Sequence, residues 1–211
     1  MPFVKREVTA APAPPLDDGP GQHLAALTSP DPQARWSAAR ALGGRAEAIA
    51  ALATALAIEQ APQVREAIMT ALVRTPGEAS VSALLPYLRS QNAGERAAAI
   101  EALQAMPAAI LPFMGALLSD DDSDVRILAT ELARNLPAPE ATRVLCECLD
   151  QEQHPNVCGA AIDVLAEVGT REALPVLARC AERFAGTPFI AFAVAAATAQ
   201  ISNPEGQDGG S

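Results

Sequence analysis

One arginine returns through this 211-residue chain at nearly constant intervals: Arg35, Arg65, Arg96 and Arg126 stand 30, 31 and 30 residues apart. The register continues 32 residues on at Cys158 and another 32 at Ile190, where the arginine is lost. A period of this length is the signature of a stacked array in which each unit buries its apolar face only against its neighbours. It excludes a single core built from distant segments.

Around each mark the sequence reads alike: Arg35-Trp-Ser-Ala-Ala-Arg-Ala-Leu42, Arg65-Glu-Ala-Ile-Met-Thr-Ala-Leu72, Arg96-Ala-Ala-Ala-Ile-Glu-Ala-Leu103 and Arg126-Ile-Leu-Ala-Thr-Glu-Leu-Ala133. Apolar residues at steps of three and four, such as Ala38, Ala41 and Leu42, predict an amphipathic helix whose alanines let a neighbour approach closely. A second apolar segment precedes each one, for example Ala83-Leu-Leu-Pro-Tyr-Leu88, Ile110-Leu-Pro-Phe-Met-Gly-Ala-Leu-Leu118 and Leu174-Pro-Val-Leu-Ala-Arg-Cys180. The unit is therefore a helical hairpin. Turns such as Ser29-Pro-Asp-Pro32 and Ser119-Asp-Asp-Asp-Ser-Asp124 offer oxygens to cap the next helix. Aromatics make up only 3% of the chain, against 50% apolar residues, which agrees with an all-α fold. Gly43-Gly44 reads as a helix stop in which glycine takes the left-handed conformation.

Segments like Ala116-Leu-Leu-Ser-Asp-Asp-Asp-Ser-Asp-Val-Arg-Ile-Leu-Ala129 resemble the bacterial HEAT repeat, including its short form named after phycobilisome lyases. The resemblance implies an all-α, right-handed α-solenoid of about six two-helix repeats over residues 22–202. It also implies a ladder between successive repeats made by the turn aspartate and the following arginine: Asp31 with Arg35, Asp122 with Arg126, and Arg65 and Arg96 between them. Repeats two and three carry Ala61 and Asn92 at the aspartate position, and the last two lack the arginine. Residues 1–21, rich in proline and glycine, read as a flexible arm, and residues 203–211 as a disordered polar tail.

The formal net charge is −10, so the averaged field repels a phosphate backbone and nucleic acid is not the expected partner. Lys5 is the single lysine, and arginine's planar fork favours contacts with protein groups. No run of about 18 apolar residues predicts a membrane span, and the chain reads as cytoplasmic. The four cysteines, Cys146, Cys148, Cys158 and Cys180, lack paired CxxC spacings and read as reduced, buried thiols; Cys148 and Cys180 share one repeat position.

No catalytic constellation can be assembled, because the two histidines, His23 and His154, read as loop residues and no nucleophile elbow or glycine-rich phosphate loop occurs. Asp120-Asp-Asp-Ser-Asp124 lacks the glycine and closing glutamate of a calcium loop. Neither a cofactor nor a metal is expected, and the chain reads as a non-enzyme.

What remains is recognition of another protein on the concave face formed by the second helices. Positions one and five after each register arginine share a helix face, which selects Trp36, Arg40, Glu66, Thr70, Ala97, Glu101 and Glu131. Trp36 leads, since tryptophan is enriched at interface hot spots. Phe3, Lys5 and Arg6 in the N-terminal arm compose a short docking motif. The C-terminal repeat, with Phe184, Phe189 and Phe192, has little polar surface, so the chain is expected to be a monomer or a weak homodimer through that repeat. Two other roles share the same surface: a maturation factor for a cofactor-containing enzyme, and a bilin lyase-like protein implied only by the resemblance.

Overall fold

The computed structural model describes residues 19–203; the arm and tail, including Phe3, Lys5 and Arg6, otherwise lie outside the described residues. Six hairpins follow one another. The first pairs α1 (Pro20–Ala26) with α2 (Pro32–Leu42), and the second pairs α3 (Ile49–Ile58) with α4 (Pro62–Val73). The third joins α5 (Glu78–Leu84) to α6 (Ala93–Gln104), and the fourth joins α7 (Pro107–Ile110) and α8 (Met114–Leu118) to α9 (Ser123–Ala133). The last two are α10 (Ala138–Gln151) with α11 (Pro155–Val168) and α12 (Leu174–Arg183) with α13 (Pro188–Ser202). No strand occurs among the described residues. The body opens two residues earlier than the arm boundary at 21 allowed: Pro20 and Gly21 form the first turn of α1, where proline's missing N–H costs nothing.

Second helices stack on second helices in the order α2, α4, α6, α9, α11, α13, and first helices form the other layer, α3 on α5 and α8 and α12 on α10. The core runs as a continuous seam between the layers. Leu42, Leu72 and Leu103, at one repeat position, are fully buried, as are Leu132 and Leu165 in the later repeats. Each contributes about 1.5–3 kcal/mol of transfer free energy. Alanines 38, 39, 71, 99 and 129 are buried with them, so adjacent second helices can pack closely.

The first helices are less regular. Pro86 and Pro112 cannot donate to the carbonyl four residues back, so the chain tightens into 3₁₀ turns at Leu85–Arg89 and Leu111–Phe113. Three second helices, α2, α6 and α9, are capped by side chains: Asp31 Oδ1 accepts from Gln33 N at 3.0 Å, Asn92 Oδ1 from Gly94 N at 2.8 Å and Asp122 Oδ1 from Asp124 N at 2.9 Å. Gly44, just past α2, has φ +88°, the left-handed stop that its position after the helix demands. No single described helix is long and apolar enough to cross a membrane.

Candidate functional site

The register arginines face inward. Arg35 donates from Nε and Nη2 to Glu59 at 2.7 and 2.9 Å, and Arg126 from the same two nitrogens to Glu152 at 2.7 and 3.3 Å. Each glutamate closes the first helix of the next repeat and also accepts from the two amides leading into the second: Gln60 and Ala61 at 2.9 and 2.8 Å, Gln153 and His154 at 2.9 and 2.8 Å. One carboxylate thus ties a neighbouring arginine to its own hairpin turn. Hydrogen bonds donated by Arg35 and by the Ala61 amide outweigh burial and hold the Glu59 carboxyl down at about 2. Burial would raise Glu152, but Arg126 and the same kind of amides outweigh it and keep this carboxyl below its ordinary value.

The same arginines satisfy the carbonyl six residues before them. Arg35 reaches Ser29 O at 2.8 Å, Arg65 reaches Glu59 O at 2.6 Å, Arg96 reaches Ser90 O at 2.6 Å and Arg126 reaches Asp120 O at 2.7 Å. Even where arginine is lost the contact persists, as Cys158 Sγ lies 3.8 Å from Glu152 O.

This arrangement corrects the expected ladder in its acidic half. Asp31 and Asp122 cap their own helices, and the carboxylates that receive Arg35 and Arg126 come from the next repeat. A side chain as short as aspartate at an N-cap reaches the amide two residues on, not the next hairpin. Asp122 does touch a neighbouring repeat, but through Arg89 at 3.9 Å. Arg65 pairs with Glu95, which Ser90 Oγ also holds at 2.6 Å, because serine stands where Glu59 and Glu152 stand elsewhere. Arg96 has no ion pair among the described residues, since Asp120, one methylene too short, is taken by Arg89.

The exposed side of the second helices carries the site. Trp36, Arg40, Gln63, Glu66, Thr70 and Arg74 line a cleft of about 280 Å³ between α2 and α4. Glu66, Met69, Thr70, Val73, Ala98 and Glu101 line the next, about 210 Å³, between α4 and α6. Glu66 and Thr70 belong to both, so the clefts form one groove across three repeats. Arg40 lies over the Trp36 ring, 4.6 Å from its centroid, which fixes the half-buried indole as one wall.

Five of the seven residues expected here, Trp36, Arg40, Glu66, Thr70 and Glu101, therefore converge. Ala97 is exposed but does not line the groove; its neighbour Ala98 does. Glu131 lies beyond it, paired with Arg134 at 3.3 Å, and Arg134 also joins Glu167 and, at 3.7 Å, Asp163 on α11. Met69, Val73 and Arg74 were missed. Arg74 falls one helical turn after Thr70, so extending the same stripe to nine residues past the register arginine finds it.

The cysteines are all unpaired. Cys148, Cys158 and Cys180 are buried, and burial raises Cys146 and Cys148 to about 11. Cys158 and Cys180 lie near one another, and Cys158 with Arg183 holds the Cys180 thiol below its ordinary value while the Cys158 thiol is pushed up. His154 lies in the loop before α11, as expected, but is half-buried there, whereas His23 stands within α1 rather than in a loop. No group of His, Cys, Asp and Glu suited to a metal occurs among the described residues.

The family model for HEAT repeats matches residues 22–104 and 110–186. The chain is a HEAT-repeat protein. Among solved structures, the HEAT-repeat protein is similar to an archaeal HEAT-like repeats protein from Thermococcus onnurineus NA1, at 16% identity and TM-score 0.50 over 87% of each chain. An engineered protein is 20% identical over 87% of this chain and 96% of its own, with TM-score 0.43. The complex of CpcE and CpcF of phycocyanin lyase from Nostoc sp. PCC7120 is 19% identical over 95% and 100%, with TM-score 0.39. At these identities the likeness shows the fold alone. A search of curated proteins gives no match.

Proposed function

We propose that this HEAT-repeat protein is a cytoplasmic adaptor that holds a segment of another protein in the groove across α2, α4 and α6, and that it acts by binding rather than catalysis. The observation that carries this reading is the continuity of the two clefts through Glu66 and Thr70, with the chain's single tryptophan as a wall. Trp36 supplies a large rigid contact area, and such residues dominate interface energies. Meanwhile the ladder occupies Arg35, Arg65 and Arg126, leaving the neighbouring stripe free for a partner.

Capture of tagged protein from its native cytoplasm, followed by mass spectrometry, tests the reading with wild type, Trp36→Ala and Glu101→Arg. A stoichiometric protein retained by wild type and lost from both variants supports it. Retention by all three moves the surface elsewhere, and retention by none removes the adaptor role.

Weak self-association through α13 is proposed beside it. Phe192 is 77% exposed and Phe189 48%, on a helix that carries no charged residue from Pro188 to Ser202. Sedimentation of wild type against Phe192→Ser reads this directly: equal association constants refute it.

A further inference from the structure

We infer that the groove across α2, α4 and α6 is regulated by the chain's own N-terminal arm, which lies in it when no partner is bound. This rests on the groove being the partner-binding surface. The order of chemistry along the arm matches the order along the groove. Nearest to Gly19, where the described chain begins, the arm carries Pro12, Pro14 and Pro15; farther away it carries Phe3-Val-Lys-Arg6. Nearest to the first repeat the groove offers Trp36; farther along it offers Met69 and Val73 rimmed by Glu66 and Glu101.

Each pairing has a physical basis. Proline-rich segments dock on exposed aromatic walls because their extended form is already low in entropy. Two apolar side chains followed by two cations suit an apolar cleft with two carboxylates at its rim, and Lys5 and Arg6 meet Glu66 and Glu101 with opposite charge. Arg40 and Arg74 stand at the Trp36 end, where the arm brings no cation.

The tether is long enough. Gly19 lies sixteen positions after Phe3, a span of about 50 Å at the extended rise of about 3.1 Å per residue. The groove covers two helix spacings of about 8–10 Å each. A short tether also gives an effective concentration on the order of 1 mM, so an arm of intrinsic Kd about 100 µM occupies the groove about ten to one. A partner competing for the groove then binds about tenfold more weakly than it would without the arm.

The test uses the full chain and its single tryptophan as the reporter. Wild type is compared with Phe3→Ser/Lys5→Glu/Arg6→Glu, whose changes all lie outside the described fold. A synthetic peptide of residues 1–15 is titrated into each while Trp36 emission is followed. Expected are a red-shifted Trp36 in the variant, restoration by the peptide, and peptide affinity about tenfold higher for the variant than for wild type, at any protein concentration. Identical emission, equal peptide affinity or absence of peptide binding overturns the inference, and so does a shift that depends on protein concentration, which assigns the groove to the arm of a second copy. Partner capture by both chains separates the two readings. If neither captures a protein, the adaptor reading fails while the Trp36 readout still decides the arm; if both capture equally, the arm is refuted alone.

Discussion

Replacing Glu59 by glutamine tests the ladder at its best-defined point. The carboxylate accepts two hydrogen bonds from Arg35 and two from the amides that lead into α4, and its residue is only 5% exposed. A carboxyl held at about 2 instead of 4.5 contributes at most about 3 kcal/mol at neutral pH. The sign follows from the depression: the unfolded chain takes up the proton first, so this contribution is full above about pH 5, about half remains at pH 3, and it is gone below about pH 2. Glutamine keeps an oxygen for the amides but turns an N–H₂ toward the guanidinium, which removes the pair and leaves Arg35 without a counter-charge. For a chain of this size each kcal/mol shifts Tm by about 2–4 °C, so Glu59→Gln is expected to lower Tm by about 6–12 °C at pH 7. Circular dichroism melts of both proteins at pH 7, 5, 4 and 3 measure the gap. It should hold from pH 7 to 5 and roughly halve by pH 3. A gap of constant size over that range, or below about 2 °C at pH 7, refutes the account of Glu59 as a charged keystone.

Arg126→Lys removes the two-pronged contact with Glu152, whereas Arg65 meets Glu95 and a carbonyl through separate nitrogens and leaves its Nε unpartnered; the first substitution should cost about 1–2 kcal/mol more than Arg65→Lys in urea unfolding. Arg134→Ala breaks a cluster whose acidic members are 37–74% exposed, so it should lower stability by no more than about 1 kcal/mol, and 1 M salt should erase the difference. Gly44→Ala places a Cβ at φ +88° and is expected to cost about 1–2 kcal/mol, read as a Tm lower by about 2–8 °C.

The hairpins, their period and the groove-lining stripe were legible because helical periodicity is local: positions one and five past Arg35, Arg65 and Arg96 share a face whatever the neighbours do. Five groove residues came from that rule. The ladder's acceptors were not legible in the same way. Glu59 lies 24 residues after Arg35 and Glu152 lies 26 after Arg126, while Asp31 and Asp122 stand four before them and invite a local pairing. A signal was nevertheless present, as Glu59-Gln-Ala-Pro62 and Glu152-Gln-His-Pro155 are near copies at equivalent turns. Likewise the 3₁₀ breaks at Pro86 and Pro112 follow from missing amide donors, but the depth to which they shorten α5, α7 and α8 depends on packing between layers.

The ladder and the groove explain each other's composition. A register arginine satisfies a carbonyl six residues back and, at Arg35, Arg65 and Arg126, a carboxylate in the next hairpin, so its guanidinium is committed to the stack and its position tolerates few substitutes. The adjacent stripe has no such duty, which is why it varies from Trp36 to Glu66 to Ala97 while the register holds arginine through Arg126. Where the ladder ends, the demands invert. Cys158 replaces the arginine and keeps the carbonyl contact without a carboxylate partner, and Ile190 at the next position is fully buried among apolar neighbours. The second helices of the last two repeats are therefore joined by apolar packing, while between their first helices Arg179 pairs with Asp150 at 2.7 Å. The groove lined by Trp36, Arg40, Glu66 and Glu101 lies in repeats one to three and exposed apolar surface at α13, so the two ends of one regular stack present surfaces of different kinds.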